Sequence, residues 1–260
     1  MRVRVAWLAF GLFLTSSAEA RPLTMRAADR AIDLAFHAEI AGDVAGGRAE
    51  LERLVASATE PEDTAARQRI TSWIERSKVR QAAFAEHGKT APGYAAAFET
   101  LDGFGAERAE LLWSRAVRDV AGLKGARLAL TLVTDRLAGL KTEKDLAARL
   151  AKLVERHGVH VEEDQPIVAR LDFDATETKK VGRRTRVVCK SSFVIRDKRL
   201  GTSLVGSSSQ RRTETRRKVA DARRFAVRRA LDDAAEDLVF YVRLAALQRK
   251  ATVPIGPTEL

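Results

Sequence analysis

At 260 residues, with 45% hydrophobic and 31% charged side chains, the chain has a globular composition and enough length for one large or two ordinary domains. A single cysteine, Cys189, rules out an intramolecular disulfide. Beyond the N-terminus no apolar run approaches the roughly 18 residues of a membrane-spanning helix. The net charge of +11 is localised, since residues 176–229 hold 18 Lys/Arg against 4 Asp/Glu.

The first twenty residues read as an export signal. Arg2 and Arg4 form the positive end, Val5 to Leu14 is an apolar run too short to span a bilayer, and Ala18-Glu19-Ala20 supplies a cleavage pattern. The mature protein is expected to begin at Arg21, in the periplasm or cell envelope. No cysteine follows the apolar run, so lipid anchoring at that point is not expected. Cys189 lies in an apolar, β-branched run and reads as a small buried hydrophobe, with an intermolecular bridge as the alternative.

Residues 21–122 are expected to form a helical domain. Thr24 can cap a first helix whose Ala28, Ala31, Ile32, Ala35 and Ile40 recur at three- and four-residue spacing up to Gly42-Asp43. A second helix over 45–56 would bury Leu51, Leu54 and Val55. A third, over 62–85, would bury Ile70, Trp73, Ile74 and Val79. After the break at Gly88–Pro92, two amphipathic helices over 94–101 and 106–120 carry Phe98, Leu111, Leu112 and Val117, with Tyr94, Phe104 and Trp113 read as core.

The stretch AIDLAFHAEIAGDVAGGRAELERLVASA resembles one tetratricopeptide unit in its small residues at the helix contact, its Gly42-Asp43 turn and its Leu51/Leu54 pair. No second copy follows at the same period, and a short helical array or an ordinary bundle fits equally well.

From Gly122 onward the pattern becomes mixed. A strand is predicted over 127–134. A helix over 142–157 would be capped by Thr142 and stopped by Gly158, with Leu146, Leu150 and Leu153 on its apolar face. Strands over 159–163, 167–178 and 185–197 follow. In the second of these, Val168, Arg170, Asp172 and Asp174 alternate with Ala169, Leu171, Phe173 and Ala175. A short strand over 203–207 leads into a long helix over 210–247 with an alanine stripe at 222, 226, 230 and 234. Separate helical and strand runs predict an α+β fold. A helical domain precedes an α/β domain over 123–247, whose antiparallel-rich sheet two helices cover, and a tail occupies 248–260.

No enzymatic, metal or cofactor motif is present, and a non-enzymatic protein is expected. His157 and His160 do not converge as metal ligands do, and His157 suits the C-terminal end of a helix dipole. The preferred candidate site is a basic, anion-binding one. Arg217, Arg224 and Arg228 are expected on one helix face, with Arg216 and Arg223 in a neighbouring row. Asp221 compensates only part of that charge. The alternative is a phosphorylated or sulfated ligand held at a helix N-terminus by Ser207, Ser208 and Ser209 with Arg211 and Arg212. Expected partners are an envelope protein and an anionic lipid or glycan surface. An exported chain is not expected to meet nucleic acid.

In its order of strand, helix, strands and alanine-rich helix, residues 123–247 resemble the α/β domains of envelope accessory proteins. Examples are the amino-terminal domain of the Tol-system β-propeller protein and the curli-secretion lipoprotein group. The resemblance implies assembly or scaffolding work and transfers no individual residue.

Overall fold

The computed structural model describes residues 22–138, 143–201 and 203–252. The expected signal segment, the Thr142 cap and the chain after Thr252 lie outside them. The chain forms two compact units, one ending at Arg76 and the other beginning at Ser77.

In the first unit, α1 (Met25–Ala41) and α2 (Val44–Ser57) form a helical hairpin, followed by a 3-10 turn at Pro61–Asp63 and the start of α3 (Thr64–His87). Thr24 caps α1 by accepting from the Ala27 N–H at 3.2 Å, and Asp43 caps α2 by accepting from Gly46 at 3.0 Å. Gly42, at φ 97°, takes the left-handed conformation that ends α1. A Cβ on Gly47 would sit 3.0 Å from the Ala35 carbonyl oxygen, so the two helices touch through small residues as expected. Ile32, Phe36, Leu51, Ile70 and Trp73 form the core, with Phe36 and Trp73 edge to face at 5.5 Å. Ile40, Leu54 and Val55 are only half-buried.

The second unit contains the rest of α3, α4 (Ala91–Glu99), α5 (Ala106–Asp119), β1 (Leu128–Ala138), α6 (Glu143–Glu155), β2 (Val159–Val161), β3 (Ile167–Val181), β4 (Arg184–Asp197), β5 (Ser203–Arg216) and α7 (Val219–Thr252). Val79, expected to be buried, is 56% exposed. The five strands form one sheet in the order β2-β1-β3-β4-β5. β1 runs parallel to β2 and β3, whereas the long β3–β4 and β4–β5 pairings are antiparallel, giving the α+β class with a mixed sheet. Thr131 ties the β2–β3 connection to β1, donating to the Glu162 carbonyl at 2.9 Å and accepting from the Gln165 N–H at 2.8 Å. Ala169, Leu171, Phe173 and Ala175 are buried and their alternates are not, as the β3 pattern predicted.

The helix expected from residue 210 does not begin there. β5 continues to Arg216, paired with β4 from Asp197↔Ser203 to Thr185↔Arg216, and α7 begins at Val219. Two β-branched residues, Thr213 and Thr215, and an alternating polar row facing α7 favour the ladder over helix. The expected boundary at residue 122 also does not coincide with a division between units. Phe98 of α4 stacks on Phe240 of α7 at 4.7 Å, and Leu123 within the presumed linker is buried. Arg243 of α7, 4% exposed, donates to Glu110 at 2.5 Å and to the His157 carbonyl at 3.2 Å, and lies over Trp113. α7 runs to Thr252, into the span expected as tail.

Tyr241 lies against β5, its hydroxyl 3.2 Å from both the Ser207 carbonyl oxygen and Asp102, which share its single proton. A Cβ on Gly206 would lie 2.1 Å from the Tyr241 ring, so glycine is required there by close approach. Gly206→Ala is expected to cost about 2 kcal/mol or more of unfolding free energy. In a Tyr241→Ala background the same change should cost much less, and equal costs in the two denaturation series would disprove the contact. Cys189 is 0% exposed, and burial, aided by the Asp174 charge, pushes its thiol up to about 12. The alternative of an intermolecular bridge therefore fails for the folded chain. A thiol reagent should label Cys189 only after denaturant is added, and prompt native labelling would contradict this burial.

Candidate anion-binding cleft

Part of the basic run is neutralised where β5 and α7 pack together. Ser208, Gln210, Arg212 and Glu214 of β5 face α7, which returns Arg229, Asp233 and Asp237. Arg212 forms a two-pronged pair with Asp233, its second nitrogen at 2.7 Å. Glu214, 8% exposed, receives Arg229 at 2.7 Å and Arg216 at 3.3 Å. Ser208 donates to Asp237 at 2.5 Å, and Gln210 lies 3.4 Å from the same oxygen.

This seam decides the expected serine site. Residues 207–212 lie inside β5, not at a helix N-terminus, so their N–H groups belong to strand positions rather than to a helix end. Ser208 and Arg212 are engaged with α7, while Ser207, Ser209 and Arg211 are exposed on the alternate positions. The helix N-terminus that the alternative phosphate cradle required is absent from this segment.

The expected arginine face is also divided. Arg216 ends β5 and Arg217 lies in the turn before α7, so neither shares a helix face with Arg224 or Arg228. Arg216 and Arg224 bracket the Phe225 ring at 4.6 and 5.4 Å from its centroid. Arg224 also pairs with Asp221 at 3.3 Å and remains 71% exposed. Arg223 is half-buried, with its Nε enclosed.

Arg224 and Arg228 instead join cations from α6. An open cleft of about 410 Å³ lies between the helices, lined by Arg149, Lys152, Leu153 and Arg156 of α6 and by Arg224, Arg228, Leu231 and Asp232 of α7. The α6 residues recur at three, four and seven positions, and the α7 residues at four, seven and eight, so each set occupies one helix face. Four guanidinium groups and one ammonium thus meet a single carboxylate. Among the described residues, Arg149, Lys152, Arg156 and Arg228 form no ion pair. Lys152 and Arg156 suit the negative end of the α6 dipole, while the cations near the start of α7 add to its positive end. The arrangement can hold oxyanions by forked hydrogen bonds and long-range attraction. The α6 cations were visible in the sequence as a helix face, but nothing in their spacing told that α6 and α7 adjoin across some seventy residues of intervening chain.

Beyond the cleft, α7 carries an acidic cluster. Burial, reinforced by Asp233 and other neighbouring carboxylates, raises Glu236. Asp237 is likewise raised by burial, against which the hydrogen bonds from Ser208 and Gln210 act, with Asp102 and Asp233 adding repulsion. An aspartate whose folded-state pKa exceeds its unfolded value contributes stability below the unfolded pKa, and that stability is lost as pH rises through the folded value. Asp237→Asn keeps an acceptor for Ser208 and removes the buried charge. It is expected to raise the melting temperature at pH 7 by about 2 °C and to flatten the melting profile just above the ordinary aspartate range. A lower melting temperature at pH 7 would mean that the carboxylate is needed in its charged form.

Among the described residues no helix is long and apolar enough to cross a membrane. No protein-family model matches the chain, and no curated protein matches it. Among solved structures, a Xanthomonas campestris protein of the DUF330 family is similar over 49% of this chain and 89% of its own, with 13% identity and a TM-score of 0.37. A minor lipoprotein from Acinetobacter baumannii is similar over 46% of this chain and 95% of its own, with 16% identity and a TM-score of 0.33.

Proposed function

We propose that the chain is an exported, non-enzymatic accessory or scaffolding protein of a bacterial envelope, whose basic α/β part contacts an anionic surface or partner. The observation that carries this reading is the convergence of Arg149, Lys152, Arg156, Arg224 and Arg228 on one cleft, with Asp232 as the one acid among its described lining residues. Holding so many like charges together costs self-repulsion, which a polyanion relieves. The N-terminal signal pattern directs the chain to a compartment where phospholipid headgroups, phosphorylated glycans and cell-wall acids supply that charge. Within the same proposal the helical region serves as an adaptor toward a second envelope protein. The resemblance in element order to Tol-system and curli-secretion accessory domains is a further part of the proposal.

Cell fractionation of the full-length protein tests the reading. The protein is expected in the envelope pellet at low ionic strength and released by a wash at about 0.5 M salt, where screening shortens to a few ångströms. Changing Arg224 and Arg228 together to glutamine should release it at lower salt. Recovery in the cytoplasm, or association with the pellet that salt leaves unchanged, would sink the proposal.

A further inference from the structure

We infer that the α6/α7 cleft is a site for the headgroup of an anionic phospholipid, seated phosphate-first. The inference rests on the proposal above and narrows it from an anionic surface to one ligand chemistry and one set of residues.

The cleft is not uniformly polar. Leu153 is half-buried and keeps apolar surface among the five cations, joined by the methylene stems of the lysine and arginines, while Leu231, 3% exposed, only backs the cleft. A free inorganic anion would use the cations and leave that surface wet, whereas an amphiphile uses both. Guanidinium outnumbers ammonium four to one, and its planar fork matches two oxygens of a phosphate, which an ammonium does not. At about 410 Å³ the cleft has the size of a small-molecule site. Asp232 adds a carboxylate to the lining, suited to accept from a hydroxyl on the same headgroup. Phosphate, an adjacent apolar stem and a hydroxyl donor are the three parts of a phosphatidylglycerol headgroup.

The chemistry shared with a free phosphate is the oxyanion, and soluble probes separate the two. Calorimetric titration of the full-length protein with dihexanoylphosphatidylglycerol, dihexanoylphosphatidylcholine and inorganic phosphate should show the first binding at least tenfold more tightly than either of the others. Arg149→Gln with Arg156→Gln, two α6 changes on an exposed helix face, should weaken that binding at least tenfold. Arg211→Gln with Arg217→Gln, outside the cleft, should leave it within twofold. Inorganic phosphate binding as tightly as the lipid would overturn the headgroup assignment, and insensitivity to the α6 changes would overturn the cleft. Pelleting with phosphatidylglycerol vesicles keeps the two levels apart. If wild-type protein pellets in a salt-sensitive way and the α6 variant pellets equally, the anionic-surface reading survives and the cleft does not. If wild-type protein fails to pellet and also ignores the soluble lipid, both fall. Thermal melting of each variant reports whether it is folded.

Discussion

The packing of α7 sets the arrangement of the second unit. Over its first half, Ala222, Ala226, Ala230 and Ala234 are fully buried, and these small side chains let the helix lie close against β4 and β5. Over its second half, from Leu238 to Ala245, every residue is buried, because α4 and α5 cover the side turned from the sheet. One helix of 34 residues, about 50 Å long, therefore serves first as a one-sided cover and then as a central core element. A single Arg243 inside the second half spans from Glu110 to the His157 carbonyl, so the helical and sheet-bearing parts share one buried charge and its partners. Removing either partner would strand a guanidinium group out of water, which is far costlier than never having buried it.

The same helix decides which arginines are available to a ligand. Its Asp233 and the buried Glu214 of β5 take up Arg212, Arg216 and Arg229, so these members of a strongly positive run are compensated in space, while Asp237 accepts from Ser208. Arg224 and Arg228, at the start of α7, lie outside that seam, Arg224 pairing with Asp221 instead, and there α6 adds three more cations. These five cations thus gather on a cleft between two helices rather than along one helix face. That difference separates a charged, solvated face from a site with a shape.

Elements with strong local determinants were legible from residues alone. The capping threonine before α1, the Gly42 stop, the alternation of β3 and the α6 apolar face each depend on side chains within one or two turns. The β5–α7 junction was not, because serine, glutamine, threonine and arginine tolerate either structure and the alanine period of α7 invites extension of the helix backward. Only pairing with β4 along the whole of β5 resolves that choice. The error displaced Arg216 and Arg217 from the helix and placed a serine cradle where there is a strand, so the two candidate sites shifted together.

Composition and periodicity were sufficient for the α+β class, for the helical N-terminal region, for the core roles of Tyr94, Phe98, Phe104 and Trp113, and for an inert Cys189. Each of these follows from burial of apolar surface, which leaves its mark at every position along an element. The charge pairs, the division of the units at Arg76 and Ser77, and the α6 contribution to the cleft depend instead on which faces meet across long separations. A guanidinium group carries no local mark of its partner. Whether Arg212 is neutralised and Arg228 left to bind depends on the neighbour that folding brings to each, and that was set by the packing of α7 on the sheet and on α6.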